Sequence, residues 1–475
     1  MKIILTICIL LCFIIHPMTT LVSGSPIAEN TVPQEGSDTV AINTCHTFDA
    51  TSTLLGSQKL FDNAKAAILY EATSETLMYT MNPDERMYPA SLVKIMTALI
   101  AVEKGALSDS VIVTESAISS LPIDAVSADL VADEQISLED LLYCLLVGSA
   151  NDAAVVIAEH ISGSQNAFVQ LMNQYAQELG CTGTQFTNAH GLHNADQYTT
   201  ARDAARILDA AMKNEVFRSI FTAVKHTVPA TNKSEERNLG SNNSLMDTTS
   251  KLYYDPRVIG GRTGVTEDGR RCIAVAAENN GMLLISVVLG SETTYQEDGY
   301  SAISVGGYHE TTTLLDAGFN GYKSAQILFA NQALKQCDVV NGSSDVILGS
   351  QVSVSAVLPE NVTAADLSLR YSELELHAPV AAGQKVSSVQ VWHGNMCVAE
   401  ADLYALNSVE STDSVKITQD TEVDNGKWVT VLWIILGTIG VVAVIPVLIR
   451  VISRIRLMAA KNRSKRYRRS RRRSR

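Results

Sequence analysis

The order of strand-forming and helix-forming segments restricts the fold of this chain more than any other feature. Residues 66–70 and 76–80 are apolar or β-prone and are joined by a turn over residues 71–75. Three strand-forming segments come much later, separated by the turn sequences Asp-Gly and Asn-Asn-Gly, at residues 258–264, 272–277 and 283–289. This order predicts an α+β domain with one sheet assembled from both ends of the stretch.

The residues between these strands carry signals for helix starts and ends. Pro89 is placed to open a helix that runs to Lys104, and Gly105 can close it. Two further helices are indicated by Ser137 and Asp140, which have capping-box spacing before residues 141–147, and by Asp152, which can cap a helix through residue 161. We therefore expect a helical layer between the first strand pair and the late strands.

Residues 1–24 have the order of a secretory signal peptide. Lys2 precedes an apolar run over residues 3–15, and small residues follow at 22–24. An uncleaved N-terminal anchor is the alternative, although the apolar run is short for a membrane span. Residues 25–57, rich in Thr, Ser, Pro and Asn without periodicity, are predicted to be a linker.

Residues 428–449 form a stretch of 22 residues without a charge, bounded by Lys427 and Arg450. As a helix this stretch would cover the roughly 30 Å hydrocarbon layer of a bilayer, so we predict a transmembrane helix. The tail, residues 450–475, holds 13 Lys and Arg and no acidic residue, which predicts a cytoplasmic location. The protein is then a single-pass membrane protein whose remaining residues are extracytoplasmic.

The net charge of −13 is carried by a chain whose tail is strongly basic, so the remainder is markedly acidic. An acidic ectodomain argues against nucleic acid as a partner. The tail alone would also be compatible with RNA binding, but beside a transmembrane helix contact with anionic lipid headgroups explains it better.

Short strands replace the earlier pattern over residues 337–406 and predict a separate small all-β domain. Residues 58–336 are then the α+β domain, and the polar, acidic residues 407–427 are a tether. Cys337 and Cys397 bracket the small domain and can pair, although spacing alone does not decide this.

Two other cysteines, Cys144 and Cys272, lie in apolar runs and are expected to be buried thiols. No spacing of cysteine and histidine indicates a metal site.

The helix-forming residues 88–100 are apolar almost all round, which indicates burial. Ser91 and Lys94 interrupt this pattern three residues apart, and therefore share one face of the helix. Burial lowers the pKa of a lysine, and a neutral amine one turn from a hydroxyl can make that serine nucleophilic. A surface helix with an incidental serine and lysine is the alternative explanation.

Two further polar groups follow along the chain. Ser149 and Asn151 lie between two predicted helices, where a loop can aim a hydroxyl and an amide into a cleft. Residues 260–266 form a glycine-rich strand that includes Arg262 and Thr263, and a guanidinium there can bind a carboxylate through two hydrogen bonds. Taken singly, the two groups are better explained by helix capping and by a solvated arginine.

Together the three groups resemble the Ser-x-x-Lys, Ser-x-Asn and cation-Thr-Gly motifs of the penicillin-binding and serine β-lactamase superfamily. Residues 88–98, 146–154 and 186–192 are most similar to the low-molecular-weight, serine-type D-Ala-D-Ala carboxypeptidases, and the resemblance covers residues 61–333. It implies a β-lactamase/DD-peptidase-like domain with an antiparallel sheet flanked by helices. The small all-β domain before the membrane helix also fits this family, and no cofactor or metal is implied.

The resemblance also implies roles for individual residues. Ser91 would attack the terminal D-Ala-D-Ala bond of a peptidoglycan stem peptide on the outer face of a bacterial membrane, with Lys94 as the base. Ser149 would relay a proton to the departing D-alanine, and Asn151 would bind a substrate amide and support Lys94. β-Lactams would acylate Ser91 and act as inhibitors.

The remaining implied roles concern the walls of the cleft. Backbone N–H groups of Ser91 and Val265, beside Gly264, would form the oxyanion hole. Arg262 and Thr263 would hold the terminal carboxylate. His190 would order the edge of the cleft, although a purely structural histidine is an equal alternative.

Arg262 departs from the family, which usually has lysine at this position. Arginine keeps the charge and binds a carboxylate at least as well, but it does not readily give up a proton. We therefore expect altered sensitivity to β-lactams and not loss of the reaction.

Two other functions fit part of these observations. A class A β-lactamase uses an extra glutamate between the second and third motifs to activate the deacylating water, and residues 188–191 contain none. A catalytically silent cell-wall-binding scaffold would not require the intact set of serine, lysine and asparagine residues. The peptidase is therefore the favoured function.

Overall fold

The computed structural model describes residues 47–412 except 51–52, 57, 269, 296 and 298–301. The predicted signal peptide, most of the predicted linker and tether, the predicted transmembrane helix and the basic tail lie outside the described residues. Within the described part, no helix is long and apolar enough to cross a bilayer.

The central element of the first domain is a five-stranded antiparallel sheet with the order β2-β1-β9-β8-β7. Its strands are β1 Ala66–Glu71, β2 Thr76–Met81, β7 Val258–Val265, β8 Arg271–Asn279 and β9 Met282–Ser291. The early hairpin joins the late strands because β1 pairs with β9, with Ile68 opposite Val287. The predicted α+β fold with a sheet made from both ends is thus confirmed.

Helices and short hairpins occupy the residues between and after these strands. The helices are α1 Val93–Lys104, α2 Glu115–Ser119, α3 Leu138–Leu146, α4 Asn151–Ser162, α5 Gln165–Glu178, α6 Ala201–Met212, α7 Glu215–Phe221 and α8 Tyr308–Phe319. The hairpins pair β3 Ser110–Ile112 with β4 Gln135–Ser137, β5 Lys225–Val228 with β6 Arg237–Gly240, and β10 Thr294–Tyr295 with β11 Ala302–Ser304.

Alternating side chains of the sheet build a core on each face. In β1, Ile68 packs with the cluster formed by α1, α3, α4, α5 and α6, whereas Leu69 packs with Leu314 and Leu315 of α8 on the other face. This alternation follows from the two-residue repeat of a strand. Helices therefore cover both faces of the sheet, and the large helical cluster lies on the side of α1.

Helix α1 is central to that cluster. All residues from Val93 to Ala101 are buried, as the apolar pattern predicted. Lys94 and Thr97 are among them, with no exposed surface. The fold thereby carries an amine into the protein interior, where the charged form is costly.

The predicted helix starts are confirmed for α3 but not for α4. Ser137 accepts a hydrogen bond from the N–H of Asp140 at 3.0 Å and caps α3. The N-cap residue of α4 is Ala150, which makes no side-chain hydrogen bond to the helix. The prediction that Asp152 caps this helix was wrong, because its carboxylate binds a neighbouring loop, as described below.

The second domain is a β module with its own buried core. Its strands are β12 Tyr322–Leu328, β13 Ala333–Cys337, β14 Val346–Gly349, β15 Val354–Pro359, β16 Leu367–Tyr371, β17 Lys385–His393 and β18 Met396–Ala405. The module begins before the predicted boundary at residue 337, because β12 pairs with β15 and so belongs to it. Sequence pattern alone did not place β12, since its partner strand is distant along the chain.

The cysteines divide into two groups. Cys144 and Cys272 are free, buried thiols, as predicted. Cys337 is also free, so the possible pairing of Cys337 with Cys397 does not form in this structure.

Candidate active site

Ser91 and Lys94 lie at the start of the buried helix. Ser91 is in the 3-10 turn Ala90–Leu92, and Lys94 is in the first turn of α1. The distance from Lys94 Nζ to Ser91 Oγ is 3.2 Å. This distance permits direct transfer of the hydroxyl proton to the amine.

The amine of Lys94 has two other partners, and both are acceptors. Nζ donates to Asn151 Oδ1 at 2.8 Å and to the carbonyl oxygen of His190 at 2.5 Å. A neutral amine has two N–H groups, and these acceptors occupy both. Its lone pair then faces the hydroxyl of Ser91, which is the arrangement a general base needs.

The surroundings of Lys94 favour this neutral form. Burial, and then the nearby cation of Arg262, hold the pKa of Lys94 well below its usual value, while Asp152 opposes the shift. The physical cause is that charging a fully desolvated amine beside a second cation is unfavourable.

Asn151 connects this amine to a loop over the cavity. It is the first residue of α4, and its Nδ2 donates to the carbonyl oxygen of Val126 at 2.9 Å. Ser149, two residues earlier, has a φ of +62° and is almost fully buried. A non-glycine residue in this left-handed region is strained, and such strain often accompanies a functional position.

The sequence did not predict this loop. Asp152 fixes it, because its carboxylate accepts hydrogen bonds from Ser127 Oγ at 2.6 Å and from the N–H groups of Ala128 and Leu130. Residues 124–126 of this loop line the cavity above Ser91. Asp152 was the one sequence signal for this loop. Its hydrogen-bond partners lie too far away along the chain to be identified from the sequence.

The cavity has a volume of about 560 Å³. The predicted site residues on its walls are Ser91, Ser149, Asn151, Thr263, Gly264 and Val265. Residues 191–194 and the loop residues 124–126 complete much of the wall. The structure thus brings three sequence motifs from separate elements to one cleft.

Two glycines seat the nucleophile turn. A Cβ on Gly264 would lie 2.6 Å from the Ser91 nitrogen, and one on Gly191 would lie 2.1 Å from the Ala90 carbonyl oxygen. Ala90 itself has a φ of +48°. The turn is therefore held between β7 and the segment after His190 by backbone contacts that leave no room for a side chain.

Replacement of Gly264 by alanine should displace Ser91 and lower the rate of acylation by a penicillin about 100-fold, since small misplacements of reacting groups have effects of this size. Gly240→Ala is the matched control, because a Cβ there meets nothing within 4 Å. Acylation rates would be followed with a fluorescent penicillin. Equal rates in the two variants would contradict the tight seating of the turn.

Arg262 does not line the cavity. It is 1% exposed, and its Nη1 donates to the carbonyl oxygen of Leu146 at 2.6 Å. Its Nε and Nη2 have no hydrogen-bond partner among the described residues. Arg262 shares a strand face with Gly264, which packs against the nucleophile turn, so its side chain enters the interior near Lys94. Arg262 is thus not among the residues on the cavity wall, and its contact with the substrate carboxylate stays a prediction.

The buried position of Arg262 gives it an electrostatic influence on Lys94. Burial lowers the pKa of Arg262 only to about 10, so it stays charged at neutral pH. Arg262→Gln should raise the pKa of Lys94 and move the acid limb of kcat/KM to higher pH, because the base must be neutral. Arg270→Gln, at a half-buried cation paired with Asp268 and Glu292, should leave the limb in place. A pH–rate profile tests this, and a limb that stays or moves to lower pH would count against it.

His190 contributes through its backbone. Its carbonyl oxygen binds Lys94, and its Nδ1 accepts a hydrogen bond from the N–H of Leu192 at 3.1 Å. Burial, and then the proximity of Lys94, lower the pKa of His190 to about 4, so the ring is neutral at pH 7. The ring is not part of the cavity wall, and its predicted role at the edge of the cleft stays a prediction beside the structural alternative.

Comparisons with known proteins give matches over both domains. Residues 56–293 match the family model described as D-alanyl-D-alanine carboxypeptidase, and residues 322–411 match that of the penicillin-binding protein 5 C-terminal domain. D-alanyl-D-alanine carboxypeptidase DacA of Haemophilus influenzae is 32% identical over 357 residues, covering 73% of this chain and 85% of that protein. DacF of Bacillus subtilis is 28% identical, with coverage of 76% and 90%.

A solved structure shows the same fold. Penicillin binding protein 5 from Haemophilus influenzae aligns with a TM-score of 0.63 at 30% identity, covering 75% of this chain and 100% of that one. The fold and the serine–lysine site together define a penicillin-binding protein with a serine peptidase domain and a C-terminal β domain.

The chain belongs to the D-alanyl-D-alanine carboxypeptidase family. Its members are serine hydrolases that release the terminal D-alanine of peptides ending in D-Ala-D-Ala. The family predicted from the three motifs is thereby confirmed.

Proposed function

We propose that this chain removes the terminal D-alanine from peptidoglycan stem peptides through an acyl-enzyme on Ser91. The observation that carries the proposal is the environment of Lys94, a fully buried amine whose two other partners are acceptors and whose third neighbour is the Ser91 hydroxyl. A penicillin would acylate the same serine, since it presents an acyl carbon to the same cleft.

In the first half of the reaction Ser91 Oγ attacks the carbonyl carbon of the penultimate D-alanine, and its proton passes to Lys94. The oxyanion that forms is bound by the backbone N–H groups of Ser91 and Val265, each worth about 3–4 kcal/mol in such sites. Collapse of this intermediate breaks the peptide bond. The departing amine takes up the proton from Lys94, relayed through Ser149.

In the second half water hydrolyses the ester. Lys94, neutral again, takes a proton from the attacking water, and the bond to Ser91 Oγ breaks as the proton returns to that oxygen. Asn151 Oδ1 keeps the amine of Lys94 oriented through both halves of the reaction by accepting a hydrogen bond from one of its N–H groups. The shortened peptide leaves and the serine is free for another turnover.

The location we propose follows from segments outside the described residues. A cleaved or retained signal segment at residues 1–24 and a membrane helix at 428–449 would place the peptidase domain on the outer face of a bacterial membrane, with the basic tail in the cytoplasm. The substrate, a component of the cell wall, is found on that face.

The function is tested by incubating the full chain with diacetyl-L-Lys-D-Ala-D-Ala and measuring free D-alanine. Stoichiometric labelling by a fluorescent penicillin, stable for minutes, should accompany release of D-alanine. Rapid turnover of the penicillin without D-alanine release would indicate a β-lactamase. Neither labelling nor release would indicate a silent scaffold.

A further inference from the structure

The wall of the catalytic cavity carries two carboxylates that the proposed reaction does not use. Asp124 lies in the loop held by Asp152, and Glu267 lies in the turn between β7 and β8. Both residues are exposed, so they lie at the mouth of the cavity. His193 and Arg271 are the basic side chains on the same wall. A ligand in the cavity therefore meets acidic groups on two separate elements.

Glu267 is held in place by a neighbour and keeps free acceptor capacity. Its Oε2 lies 3.1 Å from Nε2 of His193. The His193 ring in turn meets the Tyr88 ring edge to face, with the ring centres 4.7 Å apart. The side chain of Glu267 nevertheless stays 72% exposed. Since a carboxylate can accept about four hydrogen bonds, positions remain for a cationic group of a ligand.

The direction of a bound peptide along β7 follows from the proposed reaction. The N–H of Val265 binds the oxyanion, so the scissile carbonyl lies beside Val265. Thr263 is two residues earlier on the same face of the strand, and it lines the part of the cavity predicted to hold the terminal carboxylate. The substrate residues before the scissile bond therefore extend past the end of β7 toward Glu267.

The spacing along the strand relates Glu267 to one residue of the substrate. Thr266 continues the pairing beyond β7, because its N–H donates to the carbonyl oxygen of Arg270 at 2.8 Å. At about 3.3 Å per residue, Glu267 then lies about 7 Å beyond Val265. In an extended peptide the Cα of the residue before D-Ala-D-Ala lies about 5 Å from the scissile carbonyl carbon. The side chain of that residue therefore reaches the level of Glu267.

We infer that Glu267, together with Asp124, binds an ammonium group on the side chain of the residue that precedes D-Ala-D-Ala. The inference rests on the proposed function, and it names the substrate class as stem peptides with a free side-chain amine at that position. The cavity is a ligand site on independent grounds. The Ser149 hydroxyl faces it, and that residue is 4% exposed and forms no side-chain hydrogen bond within the described residues.

Two substrates that differ only in this amine test the inference. Nα-acetyl-L-Lys-D-Ala-D-Ala keeps the side-chain ammonium, and in diacetyl-L-Lys-D-Ala-D-Ala it is acetylated. Wild type should have a kcat/KM about 5-fold higher for the first, the size expected of exposed ion pairs. Glu267→Gln should lower this ratio to about 2, and Glu267→Lys should invert the preference. In wild type the ratio should also approach 1 at about 1 M NaCl, because salt then screens exposed charges beyond about 3 Å.

Asp129→Asn is the matched control, because Asp129 is an exposed acid of the same loop as Asp124 and is not on the cavity wall. It should keep the wild-type ratio. The inference is overturned if Glu267→Gln also keeps that ratio, or if wild type does not prefer the free amine. A preference that survives high salt would overturn it as well, since it would reflect the smaller size of the side chain. Absence of D-alanine release from both substrates would overturn the proposed function, and this inference with it.

Discussion

Replacement of Lys94 by methionine should lower kcat/KM for D-alanine release by about 10³–10⁴-fold, the range attributed to a general base. Methionine fills a similar volume without an amine, so Ser91 loses its proton acceptor while α1 keeps its packing. The acceptors Asn151 Oδ1 and the carbonyl oxygen of His190 lose a donor. The variant should nevertheless fold, because replacing a costly buried amine by an apolar group offsets part of that loss.

The same helix offers a matched control in Lys104, an exposed lysine of the last turn of α1. Lys104→Met should keep wild-type activity. Steady-state kinetics and thermal unfolding of both variants separate the effects. Retention of more than about a tenth of wild-type activity by Lys94→Met would exclude Lys94 as the main base.

Replacement of Ser149 by glycine should lower activity and raise stability in the same variant. The hydroxyl that we propose as the proton relay to the leaving amine is lost, for which we expect about a 100-fold decrease in kcat. Glycine accepts the left-handed conformation that serine adopts at φ +62°, so the unfolding free energy should rise by about 0.5–1 kcal/mol. A lower kcat together with a higher unfolding free energy would show that the strain at Ser149 is maintained for function.

The control for this variant is Asn280→Gly in the turn between β8 and β9, where asparagine has a φ of +51°. It removes a left-handed non-glycine residue outside the cavity, so activity should be unchanged. D-alanine release and denaturant unfolding are measured for both. If Ser149→Gly were as active as Asn280→Gly, the proposed proton relay would be wrong.

The elements of the α+β domain were predictable because their signals are local. Alternating or continuous apolar runs bounded by Asp-Gly and Asn-Gly turns marked β7, β8 and β9, and the apolar residues around Lys94 marked a buried helix. The boundary of the β module was not predictable in this way. β12 joins that module through its pairing with β15 and the packing of Leu328 in its core, and these are contacts between residues far apart in the chain.

The motifs of the site could be predicted from the sequence, but the directions of their side chains could not. Arg262 matched the position of the usual cation, yet a side chain on the same strand face as Gly264 enters the interior beside Lys94. Arg271 belongs to none of the three sequence motifs. Its place on the cavity wall depends on its register with Val265, which only the folded chain shows.

The loop held by Asp152 illustrates the same limit. An aspartate near a helix start has the sequence signature of a cap, and its competing partners, the N–H groups of residues 128 and 130, cannot be recognised without the fold. Burial of the carboxylate then favours three or more hydrogen bonds over a single cap. This choice fixes residues 124–126 over the cavity.

Peptide mapping by mass spectrometry, after the folded full-length chain has been exposed to benzylpenicillin, examines the serine–lysine pair most directly. Because a desolvated amine faces the hydroxyl of Ser91, we expect the peptide that contains Ser91 to gain the mass of one penicilloyl group. An unmodified Ser91, or a covalent label on a different residue, would contradict it.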